Sequence, residues 1–99
     1  MLIPIIIATH YTPWIIQGQR INGISTREYT GLITLPKQML DTNYNVFVIA
    51  SSNRGTNTDW NFTGGCTSKS KSTFSFSLYG LGTSDIVTNM SWIAIGYAA

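Results

Sequence analysis

The residues with the most chemical capacity sit close together. The segment Ser51 to Gly65 reads SSNRGTNTDWNFTGG and places Asn53, Arg54, Asn57, Asp59 and Asn61 around Trp60 and Phe62. Sugar recognition uses this combination. An aromatic face packs on the apolar side of a pyranose ring, while amides, a carboxylate and a guanidinium bond its hydroxyls. Binding pockets and paratopes mix aromatic and adaptable polar groups for similar reasons. The candidate ligand-binding residues are therefore Arg54, Asn57, Asp59, Trp60 and Asn61, together with Asp85 from the segment Gly80 to Thr88. The competing reading is that Trp60 and Phe62 fold inward and close the end of a core. It weighs more on Phe62 than on Trp60.

Catalysis has little to work with. The acids are Glu28, Asp41, Asp59 and Asp85. Glycoside hydrolysis needs two carboxylates roughly 5–10 Å apart across one bond, and only Asp59 with Asp85 is worth naming as a pair. For each of them, a turn residue bonding its own backbone is the stronger reading. A Ser-His-Asp triad would have to use His10, the one histidine, and no serine lies in a Gly-x-Ser-x-Gly elbow. The single cysteine, Cys66, excludes an internal disulfide and a cysteine-based zinc site, and reads as a small buried apolar residue. No glycine-rich phosphate motif is present. The expectation is a protein that is not an enzyme, with no catalytic residue, metal site or cofactor.

Length and charge narrow the class. Ninety-nine residues make one domain, 1–99, with a single core and little to spare. Charged residues are 10% of the chain, against about 25% in an ordinary globular protein. Such a surface relies on hydroxyls and amides, or is partly covered by a second copy. The 13 Thr, 10 Ser and 7 Asn serve the first course, and the strand pattern argues for the second as well. The basic residues Arg20, Arg27, Lys37, Arg54, Lys69 and Lys71 are scattered apart from the last two. They form no stripe for phosphates, so nucleic acid is not an expected partner. Nothing approaches the ~20 apolar residues of a membrane span, and Met1 to Ala8 lacks the basic start of a signal peptide.

The elements that must position the loop residues are strands. No segment has helical periodicity, β-branched and aromatic residues abound, and turn signals recur at short intervals. Those signals include Asn22-Gly23, Pro36, Gly64-Gly65 and Gly80. In Thr73 to Tyr79, Phe74, Phe76 and Leu78 alternate with Ser75, Ser77 and Tyr79, so one face meets a core and the other meets water. Tyr44 to Ala50 and Met90 to Tyr97 are apolar on both faces. That suits either a subunit interface or a central strand of a two-layer fold. Weaker strands are expected at Ile3 to Ala8, Trp14 to Gln17, Arg27 to Leu35 and Gly65 to Ser68. The first carries Pro4 and reads as an edge strand or lead-in segment over 1–13. With consecutive antiparallel strands from Trp14 onward, the loops Gly18–Thr26, Ser52–Gly64 and Gly80–Thr88 fall at one end. The connections Pro36–Asn43 and Ser68–Ser72 fall at the other. Polar loops gathered on a rigid scaffold are a usual place for binding. The fold class is all-β, a small antiparallel β-sandwich.

Four segments also carry a resemblance. The ending SWIAIGY (Ser91 to Tyr97) resembles the terminal strand of bacteriophage and prophage tail-fibre tip domains. SKSKSTFSF (Ser68 to Phe76) resembles that family's short turn rich in Lys, Ser and Thr with a Phe-led strand after it. Leu35-Pro36 followed by YNVFVIAS (Tyr44 to Ser51) is similar to its proline-bearing connection and apolar strand, and WIIQG (Trp14 to Gly18) to its Ile-Ile-Gln segment. The pieces keep the family's order over 14–97, within the tip domain proper, 14–99. Gly18 departs from the pattern, because an aromatic usually follows the Gln, and Met1 to His10 does not match. The resemblance implies a sandwich similar to H-type lectins, assembled as a parallel homotrimer at the distal end of a tail fibre in the virion. It implies adsorption to a host surface glycan such as lipopolysaccharide or capsule. The family has no fixed binding motif, so no site residue is carried over from it. A structural trimerisation cap without ligand, and a small polysaccharide depolymerase, are the alternatives.

Overall fold

The computed structural model describes residues 5–8, 13–51, 62–81 and 86–99. These residues form strands and no helix: β1 (Ile5–Ala8), β2 (Pro13–Thr26), β3 (Glu28–Thr34), β4 (Asn45–Ser51), β5 (Phe62–Lys69), β6 (Thr73–Gly80) and β7 (Val87–Tyr97). Every pairing among them is antiparallel. One sheet runs β1-β2-β7-β4 and the other β3-β6-β5. The inner faces of the two enclose one apolar core, which makes a small β-sandwich. The molecule is elongated, 48 × 21 × 19 Å. A strand rises about 3.3 Å per residue, so β2 alone accounts for most of the long axis.

Strand alternation decides what is inside. Phe74, Phe76 and Leu78 of β6 point inward and are buried, as are Ile15 of β2 and Trp92 and Ala94 of β7. Phe74 meets Trp92 edge-on across the two sheets, with centroids 5.2 Å apart. This aromatic contact joins the layers at their centre. The Trp92 indole N–H donates to Gln19 Oε1 at 3.3 Å, so its polar tip is not stranded in the core.

The end carrying 35–44, 70–73 and the C-terminal residues is tied by hydrogen bonds. Leu35 N–H donates to Ser72 O and Met39 N–H to Lys71 O, both at 2.8 Å. Leu40 N–H donates to Tyr97 O, and Met39 pairs with Ala98 as an isolated bridge. Asp41 accepts from Asn43 N–H at 2.8 Å, the local turn its residue type favours. The Tyr44 hydroxyl donates to the carbonyls of Ser70 and Thr73, each at 2.8 Å. Lys69 Nζ donates to Tyr44 O at 2.7 Å and lies over the Tyr44 ring.

Three sequence expectations change. Gly18 to Thr26 is not a loop, because β2 continues through it and pairs with β7 from Trp14↔Tyr97 to Asn22↔Asn89. The Asn22-Gly23 signal appears instead as an irregularity between Asn22 and Thr26, after which pairing resumes at Val87. The Gly64-Gly65 pair lies within β5, opposite Leu78 and Ser77, not in a turn. Gly64 is needed there: its φ is +128°, and a Cβ would stand 2.0 Å from Ser77 O. Gly18, the departure from the tail-fibre pattern, faces Ile93, and a Cβ on it would come 2.5 Å from Trp92 O. An aromatic there would force β2 and β7 apart.

The strands that read as apolar on both faces bury only one. In β4, Ala50 is buried and Val46 and Val48 are half-buried against the core, while Phe47 is 55% and Ile49 57% exposed. β7 is a central strand, yet Ile93 is 45% exposed on its outer side. Register brings these residues together. Phe47 and Gly18 flank Ile93, and Trp14 pairs with Tyr97, their rings meeting edge-on with centroids 5.4 Å apart. The outer face of the four-stranded sheet therefore carries a contiguous apolar surface. Arg20 beside Ser91 is the charged residue at its margin.

Candidate functional site

One end of the sandwich collects the strand termini that flank the sequence-derived site. Ser51, where β4 ends, pairs with Asn89, and Asn89 pairs with Asn22 on its other side. Arg27 carries the chain from Thr26 in one sheet to Glu28 in the other, and Gly80 N–H donates to its carbonyl at 2.9 Å. Phe62, where β5 begins, pairs with Gly80. The residues on either side of 52–61 (Ser51 and Phe62) and of 82–85 (Leu81 and Ile86) thus belong to the same end. This is the placement that strand parity gives, and it holds because no neighbouring pair among the described strands is parallel.

Arg54, Asn57, Asp59, Trp60, Asn61 and Asp85 all lie outside the described residues. So do His10 and Asn53. What is described is the platform from which these residues depart. Phe62 is half-buried and packs against the core, the inward role the sequence reading gave it as an alternative. Leu81, next in the chain to the Gly80 that pairs with Phe62, is exposed at the same end.

The rim has groups of its own. Tyr79 closes β6 with its side chain outward, 43% exposed, between Glu28 of β3 and Thr63 of β5 in register. Thr26 Oγ1 donates to Glu28 O at 2.9 Å, which shapes the turn between the sheets. Alternation in the sequence already turned Tyr79 outward. What it could not show was which residues would stand beside it, because both partners come from other strands. On the opposite sheet Arg20 Nε donates to Asn22 Oδ1 at 3.1 Å.

Among the described residues no three of His, Cys, Asp and Glu gather where they could hold a metal ion. Cys66 is half-buried, where the sequence reading had it buried, and its thiol approaches Ser68 O at 3.5 Å. The Tyr44 hydroxyl at the far end titrates above its ordinary range, chiefly because burial disfavours the phenolate and secondarily because of Cys66. Among the described residues no helix is long and apolar enough to cross a membrane.

Fold and rim define a small antiparallel β-sandwich in which 52–61 and 82–85 attach at one end. No family model and no curated protein matches the chain. Two solved structures share its fold. One is the P. aeruginosa R1 pyocin fibre, in a fragment of its C-terminal residues. It is 15% identical with a TM-score of 0.62, and the match covers 91% of this chain and 27% of that one. The other is an N-truncated R1-type pyocin tail fibre, 14% identical with a TM-score of 0.62, covering 95% of this chain and 85% of that one. The chain thus spans about a quarter of the longer fragment and most of the shorter. At this identity the likeness is one of fold.

Proposed function

We propose that this chain is the receptor-binding tip of a tail fibre, at the distal end of the fibre in a virion, recognising a bacterial surface glycan during adsorption to the host. The observation that carries the reading is the fold shared with R1 pyocin tail fibre fragments over more than nine-tenths of the chain. The tail-fibre pattern of SWIAIGY and its companion segments supports it independently. The lectin-like character and the ligand, lipopolysaccharide or capsule, are what that resemblance implies; the composition of the loop segments supplies the candidate site, with Trp60 as the stacking face and Arg54, Asn57, Asp59, Asn61 and Asp85 as hydroxyl partners. The tip is not an enzyme. It assembles as a parallel homotrimer, and the apolar outer face of the β1-β2-β7-β4 sheet is the surface that a second and third copy would cover. Monomers rarely leave contiguous apolar area of this kind in water.

Adsorption of the purified chain to host cells tests the proposal. Trp60→Ala is expected to weaken adsorption while the mass by light scattering stays that of the parent. Unchanged adsorption would favour a trimerisation cap that binds nothing. Loss of glycan cleavage in Asp59→Asn, with binding kept, would favour a depolymerase instead.

A further inference from the structure

The outer face of the β3-β6-β5 sheet is built mainly from hydroxyl residues, and its two ends differ. Toward 70–73 the hydroxyls bond one another. Ser75 Oγ contacts both Thr67 Oγ1 and Ser68 Oγ, and Ser70 Oγ contacts Thr73 Oγ1 at 2.7 Å. Toward the end where 52–61 and 82–85 attach they do not. There Glu28, Tyr79 and Thr63 stand in one cross-strand row, with Thr30, Ser77 and Gly65 in the next row of the same face. Among the described residues, the carboxylate of Glu28 and the hydroxyls of Tyr79, Thr63, Thr30 and Ser77 have no side-chain hydrogen-bond partner.

Tyr79 adds nothing to the core, since Leu78 before it and Gly80 after it are the buried neighbours on β6. Beside it the face is low, because Gly65 has no side chain and open space where a Cβ would stand. Cross-strand neighbours lie ~5 Å apart and diagonal ones ~7–8 Å, about the width of a sugar ring. The arrangement is a part-exposed tyrosine next to a shallow step, with Glu28 in register on one side and Thr63 on the other.

The geometry points to a second saccharide subsite on this sheet face, centred on Tyr79 and selective for neutral sugars. It rests on the glycan-binding proposal and adds to it a place and a ligand class. One face of a pyranose stacks on the Tyr79 ring, as apolar C–H surface does on an aromatic plane. Glu28 accepts hydrogen bonds from sugar hydroxyls, and Thr63 and Ser77 exchange bonds with the ring's other edge. The Glu28 carboxylate repels acidic sugars.

Titration of the full chain followed by NMR tests this, using the methyl glycosides of glucose, galactose, mannose and N-acetylglucosamine up to their solubility limits. At least one should give saturable shifts in the Tyr79 ring and in the amides of Thr63 and Ser77. Tyr79→Ala should weaken that binding about tenfold, and Tyr79→Phe should keep it. The methyl glycoside of glucuronic acid should give no shift at Tyr79, and Glu28→Gln should admit it. Shifts confined to 52–61 and 82–85, no shift with any of the four neutral glycosides, or equal binding by Tyr79→Ala would each overturn the subsite. Cell adsorption separates this from the functional reading. If Tyr79→Ala adsorbs like the parent while Trp60→Ala does not, the subsite falls and the receptor-binding role stands. If the parent itself does not adsorb, the receptor role falls, and the glycoside titration still decides the subsite.

Discussion

Gln17 and Lys37, twenty residues apart, exchange two hydrogen bonds: Lys37 N–H donates to Gln17 Oε1 at 2.9 Å, and Gln17 Nε2 donates to Lys37 O at 2.8 Å. Gln17 is fully buried on the inner face of β2, where its neighbour in register is Ala94. Its amide reads the backbone of the Pro36-Lys37 connection as another strand would. This holds the crossing from one sheet to the other against the end of the core.

Gln17→Leu keeps the volume and removes the bonds. The Lys37 N–H and C=O then lose their partners at a partly buried place, at a cost of about 2 kcal/mol. The urea midpoint is expected to fall accordingly. A midpoint equal to the parent's would mean that water replaces the amide without penalty.

Tyr44 makes stability depend on alkaline pH. Its phenol titrates above the ordinary 10.0 because burial disfavours the charged form. A folded-state value above the unfolded one means that the folded chain holds its proton longer. Stability is then flat in this group below the unfolded value and falls as pH rises from there toward the folded value. Tyr44→Phe should flatten that alkaline decline. It should also cost about 1 kcal/mol at neutral pH, for the hydroxyl's bonds to Ser70 and Thr73. Thermal melts of both proteins across the alkaline range check this.

Neighbouring glycines should respond differently. Gly64→Ala places a methyl group against Ser77 O at a positive φ and should cost at least about 2 kcal/mol. Gly65→Ala meets nothing within 4 Å and should stay within about 0.5 kcal/mol of the parent. Equal effects in denaturant titrations would contradict the strand placement of the pair.

Polar residues on the apolar face should act on assembly and not on folding. Phe47→Ser with Ile93→Thr changes side chains already about half-exposed in the single chain. Light scattering should report a trimer for the parent and a monomer for the double variant, with little change in Tm after correction for concentration. A monomeric parent would count against the assembly.

The chain's local pattern carried much of this fold. The alternation of Phe74 to Tyr79 is a period-two signal that needs no partner to interpret. The breaks at Pro36 and near Gly80 mark real strand ends. Those features, with antiparallel pairing throughout the described strands, were enough to bring Ser51, Phe62, Leu81 and Ile86 to one end. The candidate residues between them, Trp60 and Asp85 among them, lie outside the described residues, and only their attachment is positioned.

Pairing partners were a different matter, because they depend on burial between segments far apart in the chain. Gly18 and Asn22-Gly23 have the local character of strand breakers, yet β2 runs on because β7 supplies a partner from Trp14 to Asn22 and again at Thr26, past the irregularity at Gly23. Gly64 has the character of a turn and serves as the one residue that fits beneath Ser77 O. Local pattern let apolar Phe47 and Ile93 point into either layer. The tertiary structure put them outside together, since the core side of each strand was already filled by Val46, Val48, Trp92 and Ala94. The sequence by itself determined where most strands lie, their alternation and the end at which 52–61 and 82–85 attach, all consequences of local period and backbone preference. The burial of Gln17, the apolar outer face and the Glu28–Tyr79–Thr63 row were decided by tertiary structure, because each joins residues whose only relation is the register between separate strands.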